Sequence, residues 1–149
     1  RLIGVNTAIF SPSGADAGVG FAVPVDTVNR VVPQLIAKGS YARPVLGIHV
    51  EQGVNEMLAK RLGVKGVAVV GVEPGSAAAK AGLVPAKIET GGGIVPGDII
   101  LEVDGEEVDT VAELLGQLDR KQVGDTVVLT LLRDGGKTEV RATLQAAGA

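Results

Sequence analysis

The run Arg43-Pro44-Val45-Leu46-Gly47-Ile48-His49-Val50-Glu51 limits the fold more than any other stretch of the 149-residue chain. A proline fixes the approach, and a glycine then sits between two bulky apolar residues. Gly47 can take positive φ, or admit another backbone where a side chain would block it. A short loop of this kind leaves consecutive N–H groups aimed at one spot, and such a concavity attracts an anion. Ile48, His49, Val50 and Glu51 alternate apolar and polar, so they read as a strand whose free edge can pair with an extended peptide. An anion hole beside an open strand edge suits the C-terminus of another polypeptide.

The core around that strand must be built almost without aromatics, since the chain has two Phe, one Tyr and no Trp. Hydrophobic residues still make up 46%, so Val, Leu, Ile and Ala must fill strands and short helices. The 22 glycines imply many tight turns. A net charge of −3 argues against nucleic acid as a partner. The absence of cysteine excludes disulfides, thiolate chemistry and Cys-ligated zinc. No apolar run is long enough to span a bilayer. No cofactor and no metal are expected, because nothing near His49 has ligand spacing.

Charge divides the chain. Residues 1–40 hold three basic and two acidic side chains, whereas residues 41–149 hold eleven basic and fifteen acidic. The junction Lys38-Gly39-Ser40-Tyr41-Ala42-Arg43-Pro44 stops a helix with Gly and blocks its restart with Pro. Two domains are therefore expected, 1–40 and 41–149. In the first, Leu2 to Phe10 and Val19 to Val25 read as strands around the turn cluster Ser11-Pro12-Ser13-Gly14. Asp26 reads as the N-cap of a helix ending at Gly39, with Pro33 set to kink or divide it. Two strands and a helix cannot bury their own apolar faces, so this segment calls for a missing partner. Arg1-Leu2-Ile3 reads as the interior of a longer protein.

In the second segment, Val54, Leu58 and Leu62 share a helix face, and Gly66 to Val72 reads as one buried strand. Ser76 caps an Ala-rich helix from Ala77 to Ala81. Ile99 to Val103 is a strand, and Thr126 to Arg133 with Lys137 to Leu144 is a hairpin around Asp134-Gly135-Gly136. Thr110 and Glu113 have capping-box spacing, and Val111, Leu114, Leu115 and Leu118 follow as one apolar stripe. His49 should point out of the strand, opposite Ile48 and Val50, either as a solvated residue or in touch with a ligand side chain. The acidic group around Asp104 and Asp109 reads as a solvated face.

Two resemblances follow from these residues. Gly4-Val5-Asn6-Thr7-Ala8-Ile9 and Gly18-Val19-Gly20-Phe21-Ala22-Val23-Pro24-Val25 resemble the last strands of the HtrA/Deg family of trypsin-like serine proteases. The resemblance places Asn6, Thr7, Ala8 and Ile9 on the substrate-pairing strand, and Gly18, Gly20 and Phe21 on the wall of the specificity pocket. The family's catalytic His and Asp lie far upstream, and its nucleophile lies shortly before this chain begins. Ser11, Ser13, Ser40 and Ser76 lack the flanks of that nucleophile, and the one histidine, His49, falls in the other segment. The chain by itself is expected to be inactive.

Gly75-Ser76-Ala77-Ala78-Ala79-Lys80-Ala81-Gly82-Leu83, followed by Gly97-Asp98-Ile99-Ile100-Leu101-Glu102-Val103-Asp104-Gly105, resembles a PDZ domain of the circularly permuted bacterial type. The fold implied is mainly β with short α-helices: a partly open antiparallel β-barrel or sandwich, preceded by two strands and the closing helix of a trypsin-like barrel. Val45, Leu46, Gly47 and Ile48 would form the carboxylate-binding loop. His49, Val50 and Glu51 would continue the peptide-binding strand, with Val111, Leu115 and Leu118 on the opposite helical wall. Val84 to Pro96 is an insert with Gly91-Gly92-Gly93, expected as a mobile loop of no assigned role. The resemblance implies the C-terminal part of a serine endopeptidase of protein quality control. It would act in a periplasm, cell envelope or thylakoid-lumen-like compartment as a trimer or other homo-oligomer. Its partners would be unfolded or C-terminal peptides of substrates and the remainder of the protease domain. A free-standing peptide-binding adaptor or assembly module is the alternative.

Overall fold

The computed structural model describes residues 1–9 and 20–148. They form two compact units, Arg1–Tyr41 and Ala42–Ala149. The turn cluster 11–14, Phe10, Gly18 and Val19 lie outside the described residues.

In the first unit, β1 (Gly4–Ile9) pairs antiparallel with β2 (Gly20–Pro24), with a bulge between Asn6 and Ala8. There the Thr7 hydroxyl donates to the Phe21 carbonyl at 3.3 Å. Helix α1 (Val25–Lys38) follows with Pro24 in the N-cap position. Asp26, expected as the cap, instead sits in the first turn, where its charge still complements the helix N-terminus. Pro33 does not divide the helix, since its fixed φ is helical and only one hydrogen bond is lost. No residue of α1 is buried.

The second unit runs β3 (Pro44–Val45), β4 (Ile48–His49), α2 (Gln52–Leu62), β5 (Val67–Ala68), β6 (Gly71–Val72) and α3 (Ala77–Ala81). It continues with β7 (Lys87–Ile88), β8 (Ile94–Val95), β9 (Ile99–Val103), β10 (Glu106–Glu107), α4 (Val111–Asp119), β11 (Thr126–Arg133), β12 (Gly136–Thr143) and β13 (Gln145–Ala146). The main sheet is ordered β10-β9-β11-β12 with β5 also on β9. β3 pairs with β13, β4 with β6 and β7 with β8, so the sheets stay open rather than closing into a barrel. Leu46, Val69, Ile100, Leu114, Leu129 and Leu131 belong to one aliphatic cluster between sheet and helices. Where aromatics are lacking, close-packed branched side chains supply the density.

The run 66–72, expected as one strand, serves two sheets. β5 lies on β9 and β6 lies on β4. Between them the Val69 N–H donates to Asp98 O at 3.0 Å and the Val70 N–H to His49 O at 2.9 Å, which carries the chain across. Within the insert, expected as a mobile loop, β7 and β8 pair as a short hairpin. Its base is pinned by Asp98, whose buried carboxylate accepts the Val84 N–H at 2.8 Å and two Arg133 bonds at 2.7 and 2.6 Å. Gly97 lies so close to the Val84–Pro85 backbone that any Cβ there would collide.

Candidate functional site

Between β4 and α4 runs a groove of about 340 Å³, lined by residues from Arg43 to Gly148. Gly47 is the residue that opens it. Its φ is +74°, and a Cβ there would overlap the Ser76 side chain. Ser76 is fixed in turn as the N-cap of α3, its hydroxyl accepting the Ala79 N–H at 3.1 Å.

Two carbonyls set the direction of the loop. Leu46 C=O accepts the Ala78 N–H at 2.8 Å, and Gly47 C=O accepts the Glu73 N–H at 2.9 Å. In a trans peptide the following N–H points opposite to the carbonyl, and no peptide among the described residues is cis. The Gly47 and Ile48 amides are therefore turned away from α3 and β6. The Leu46 and Gly47 N–H groups have no acceptor among the described residues.

The β4 edge is open for the same reason. Ile48 faces Val72, and the Glu73-to-Gly47 bond falls just outside that pair. Ile48 thus occupies a non-hydrogen-bonded position, with its own N–H and C=O on the side away from β6. Among the described residues no strand pairs with that side. The strand is shorter than the expected Ile48 to Glu51, because Glu51 already stands at the N-cap of α2 in extended conformation. Val50 still lines the groove. His49 is exposed, and its ring lies over Gly71, where a Cβ would come within 3.0 Å of it.

Helix α4 is the other wall. Thr110 Oγ1 accepts the Glu113 N–H at 3.2 Å, and Glu113 Oε2 accepts the Thr110 N–H at 3.2 Å, completing the capping box. Leu114 and Leu118 are buried with one edge on the groove, and Leu115 stands 51% exposed at its rim. Val111, expected on this wall, packs against the core instead and does not line the groove. Leu114 takes that place, because the roll of α4 against the sheet turns Leu114, Leu115 and Leu118, and not Val111, toward the groove. Arg43, Glu73, Asp119 and Ala147 also line the groove, and no local sequence pattern marks them for it. Arg43 Nε lies 3.2 Å from Asp119 Oδ1, an ion pair at one end. Only tertiary pairing brings these residues together.

In the first unit, Asn6, Thr7, Ala8, Gly20 and Phe21 line a shallow concavity of about 420 Å³. Ile9 pairs with Gly20, and Gly18 is outside the described residues. Among the described residues no three His, Asp or Glu side chains are grouped to hold a metal ion, and no helix is long and apolar enough to cross a membrane.

Residues 44–144 match the PDZ domain family. The chain belongs to that family. Its PDZ domain and the segment before it are together homologous to HtrA/DegP serine proteases. The chain is 44% identical over 97% of its length to Protease Do-like 1, chloroplastic, of Arabidopsis thaliana, covering 32% of that protein. It is 37% identical over 97% of its length to the periplasmic serine endoprotease DegP of Escherichia coli K12, covering 29% of it. The chain thus spans about a third of the length of these curated relatives. Among solved structures, the HtrA-type protease AlgW with a decapeptide superposes with a TM-score of 0.72 at 34% identity, covering 100% of this chain and 43% of that one. AlgW with a tripeptide gives 0.70 at 33%, covering 100% of this chain and 46% of that one.

Proposed function

We propose that the groove of the PDZ domain receives the C-terminus of another polypeptide, and that the chain is the C-terminal part of an HtrA/Deg-type serine endopeptidase. The observation that carries this reading is the pair of outward amides at Gly47 and Ile48 beside a strand edge that is unpaired among the described residues. A terminal carboxylate would accept hydrogen bonds from the amides of Leu46, Gly47 and Ile48, each worth about 1.5–3 kcal/mol. The last side chain would enter between Leu46, Ile48, Leu114, Leu115 and Leu118, adding about 1.5–3 kcal/mol. Val50 and the exposed backbone of β4 would pair with the rest of the peptide as an added strand. Ordering the peptide offsets much of this gain, so modest affinity and broad selectivity follow.

Residues 1–40 are read as the end of the protease domain and residues 41–149 as the PDZ domain. In the full-length protein the apolar faces of β1, β2 and α1 would be covered by the rest of that protease domain. The concavity at Asn6, Thr7, Ala8 and Phe21 would then be part of its substrate pocket. Degradation of misfolded proteins in an extracytoplasmic or lumenal compartment, by a homo-oligomer such as a trimer, completes the proposal. The periplasmic and chloroplastic relatives support the compartment.

Calorimetric titration with a free-acid peptide ending in an apolar residue, and with its C-terminal amide, tests the carboxylate hole. The amide should bind about tenfold more weakly or worse. Equal affinities would refute the hole. Casein incubated with the purified chain should remain intact; cleavage would contradict the assignment of the catalytic groups to a missing upstream segment.

A further inference from the structure

Where the groove seats a C-terminal peptide, as proposed above and as this inference requires, strand geometry fixes the direction of the second-to-last side chain of that peptide. Side chains of an extended chain alternate between faces. Ile48 and Val72 are paired and both pack on the core, which marks the inner face of the β4–β6 ribbon. A last side chain turned to that inner face sends the penultimate one to the outer face.

The outer face carries an acidic group. Glu73, which follows β6, extends over the amide loop: its Oε2 is 3.3 Å from where a Gly47 Cβ would stand. The His49 Nε2 lies 3.8 Å from Glu73 Oε1, too far for a hydrogen bond. The Glu73 side chain is 51% exposed and accepts no side-chain hydrogen bond from a described residue. The other carboxylate on the groove among the described residues, Asp119, is already engaged by Arg43 at 3.2 Å. We propose that Glu73 reads the penultimate residue of the bound peptide and selects a basic side chain there. A lysine or arginine leaving the groove on that face meets a carboxylate with no hydrogen-bonded cation, whereas an acidic residue meets like charge.

Fluorescence anisotropy on the full 149-residue chain tests this with three free-acid peptides, identical except for Lys, Gln or Glu before a terminal Val. The Lys peptide should bind about fivefold more tightly than the Glu peptide at low salt, with Gln between them. The spread should narrow as salt rises. Glu73→Gln should bring all three within about twofold, and Glu73→Lys should invert the order. Equal binding of the three by the wild-type chain, or a Lys preference that survives Glu73→Gln, would overturn the assignment and leave the carboxylate hole intact. If the amidated Lys peptide binds as well as the free acid, or if none of the peptides binds, the groove reading fails and this inference with it.

Discussion

The two units dispose of their apolar side chains in opposite ways. In Ala42–Ala149 the large aliphatics face one another: Leu114, Leu129 and Leu131 are 0% exposed. In Arg1–Tyr41 the same kinds of residue face outward, with Ile3 82% and Ile36 81% exposed. The sequence patterns are equally regular, and α1 is as amphipathic as α4. The difference lies in the number of layers. A hairpin and one helix offer an apolar face with nothing among the described residues to set against it, while a sheet with helices around it encloses one. Periodicity tells which side of an element seeks burial; it does not say whether the burying surface is present.

Paired truncations test this contrast most strongly. Leu129→Ala should cost about 3–5 kcal/mol in urea denaturation, because it removes fully enclosed methyl groups from β11. Ile36→Ala should change stability by less than about 0.5 kcal/mol. A loss at Ile36 approaching that at Leu129 would mean that a second copy covers α1 in solution, and sedimentation would then show the dimer.

The contrast extends to polar groups. Asp98 is completely buried in the second unit, yet each of its oxygens is bonded, to Arg133 and to the Val84 N–H. The Asp98 hydrogen bonds hold the Arg133 guanidinium above its ordinary pKa, against the opposing effect of burial. Asp98→Ala strands Arg133 and frees the base of the insert hairpin. With Arg133 still 31% exposed, the loss should be about 3 kcal/mol, at the low end for a broken buried pair, measured by thermal or urea unfolding. A loss under about 1 kcal/mol would show that the pair behaves as a surface contact.

Within the second unit, the groove can be separated from the core by two neighbouring leucines of α4. Leu114→Ala removes a fully buried side chain and should cost stability first, about 2–5 kcal/mol. Leu115→Ala removes one that is half exposed at the rim. It should leave the melting curve nearly unchanged and weaken binding of an apolar-ended peptide by about fivefold to tenfold in anisotropy. Unchanged affinity would place the peptide elsewhere.

Much of this was legible from the chain itself. The T-x-x-E spacing at Thr110 and Glu113, the Ser76 cap and the Asp134-Gly135 turn are local devices, satisfied within a few residues, and each forms as its residue types dictate. At the groove loop only the glycine was legible, since the partners that hold it, Glu73, Ser76 and Ala78, lie far along the chain. The division of residues 66–72 between two sheets was not, because the switch is made by His49 and Asp98, far away in sequence. The exchange of Val111 for Leu114 on the groove wall depends on how α4 is rolled against the sheet, which an apolar stripe of four residues leaves open. Glu73 and Asp119 look like ordinary surface acids until the fold sets them on either side of one cleft.

The smallest expected effect is electrostatic and concerns Asp104, at the β9–β10 turn with φ of 50°. Burial raises its pKa, but the hydrogen bond from Lys121, the Val128 N–H and the Lys121 charge together outweigh that and leave it below the ordinary carboxylate value. Lys121 Nζ lies 2.6 Å from one carboxylate oxygen, and the Val128 N–H lies 2.7 Å from the other. A carboxylate held below its unfolded pKa stabilises the fold above that unfolded value, and the gain disappears as pH falls through the folded one. Asn tolerates the same left-handed backbone and can still accept the Val128 N–H, so Asp104→Asn keeps the turn and removes the pair with Lys121, its charge and its hydrogen bond together. The variant should therefore be slightly less stable than the parent at pH 7. The gap should begin to close below about pH 5 and vanish once the parent's Asp104 is protonated, as followed by urea midpoints across pH. A gap that persists unchanged into strong acid would assign the effect to geometry at the turn rather than to the pair with Lys121.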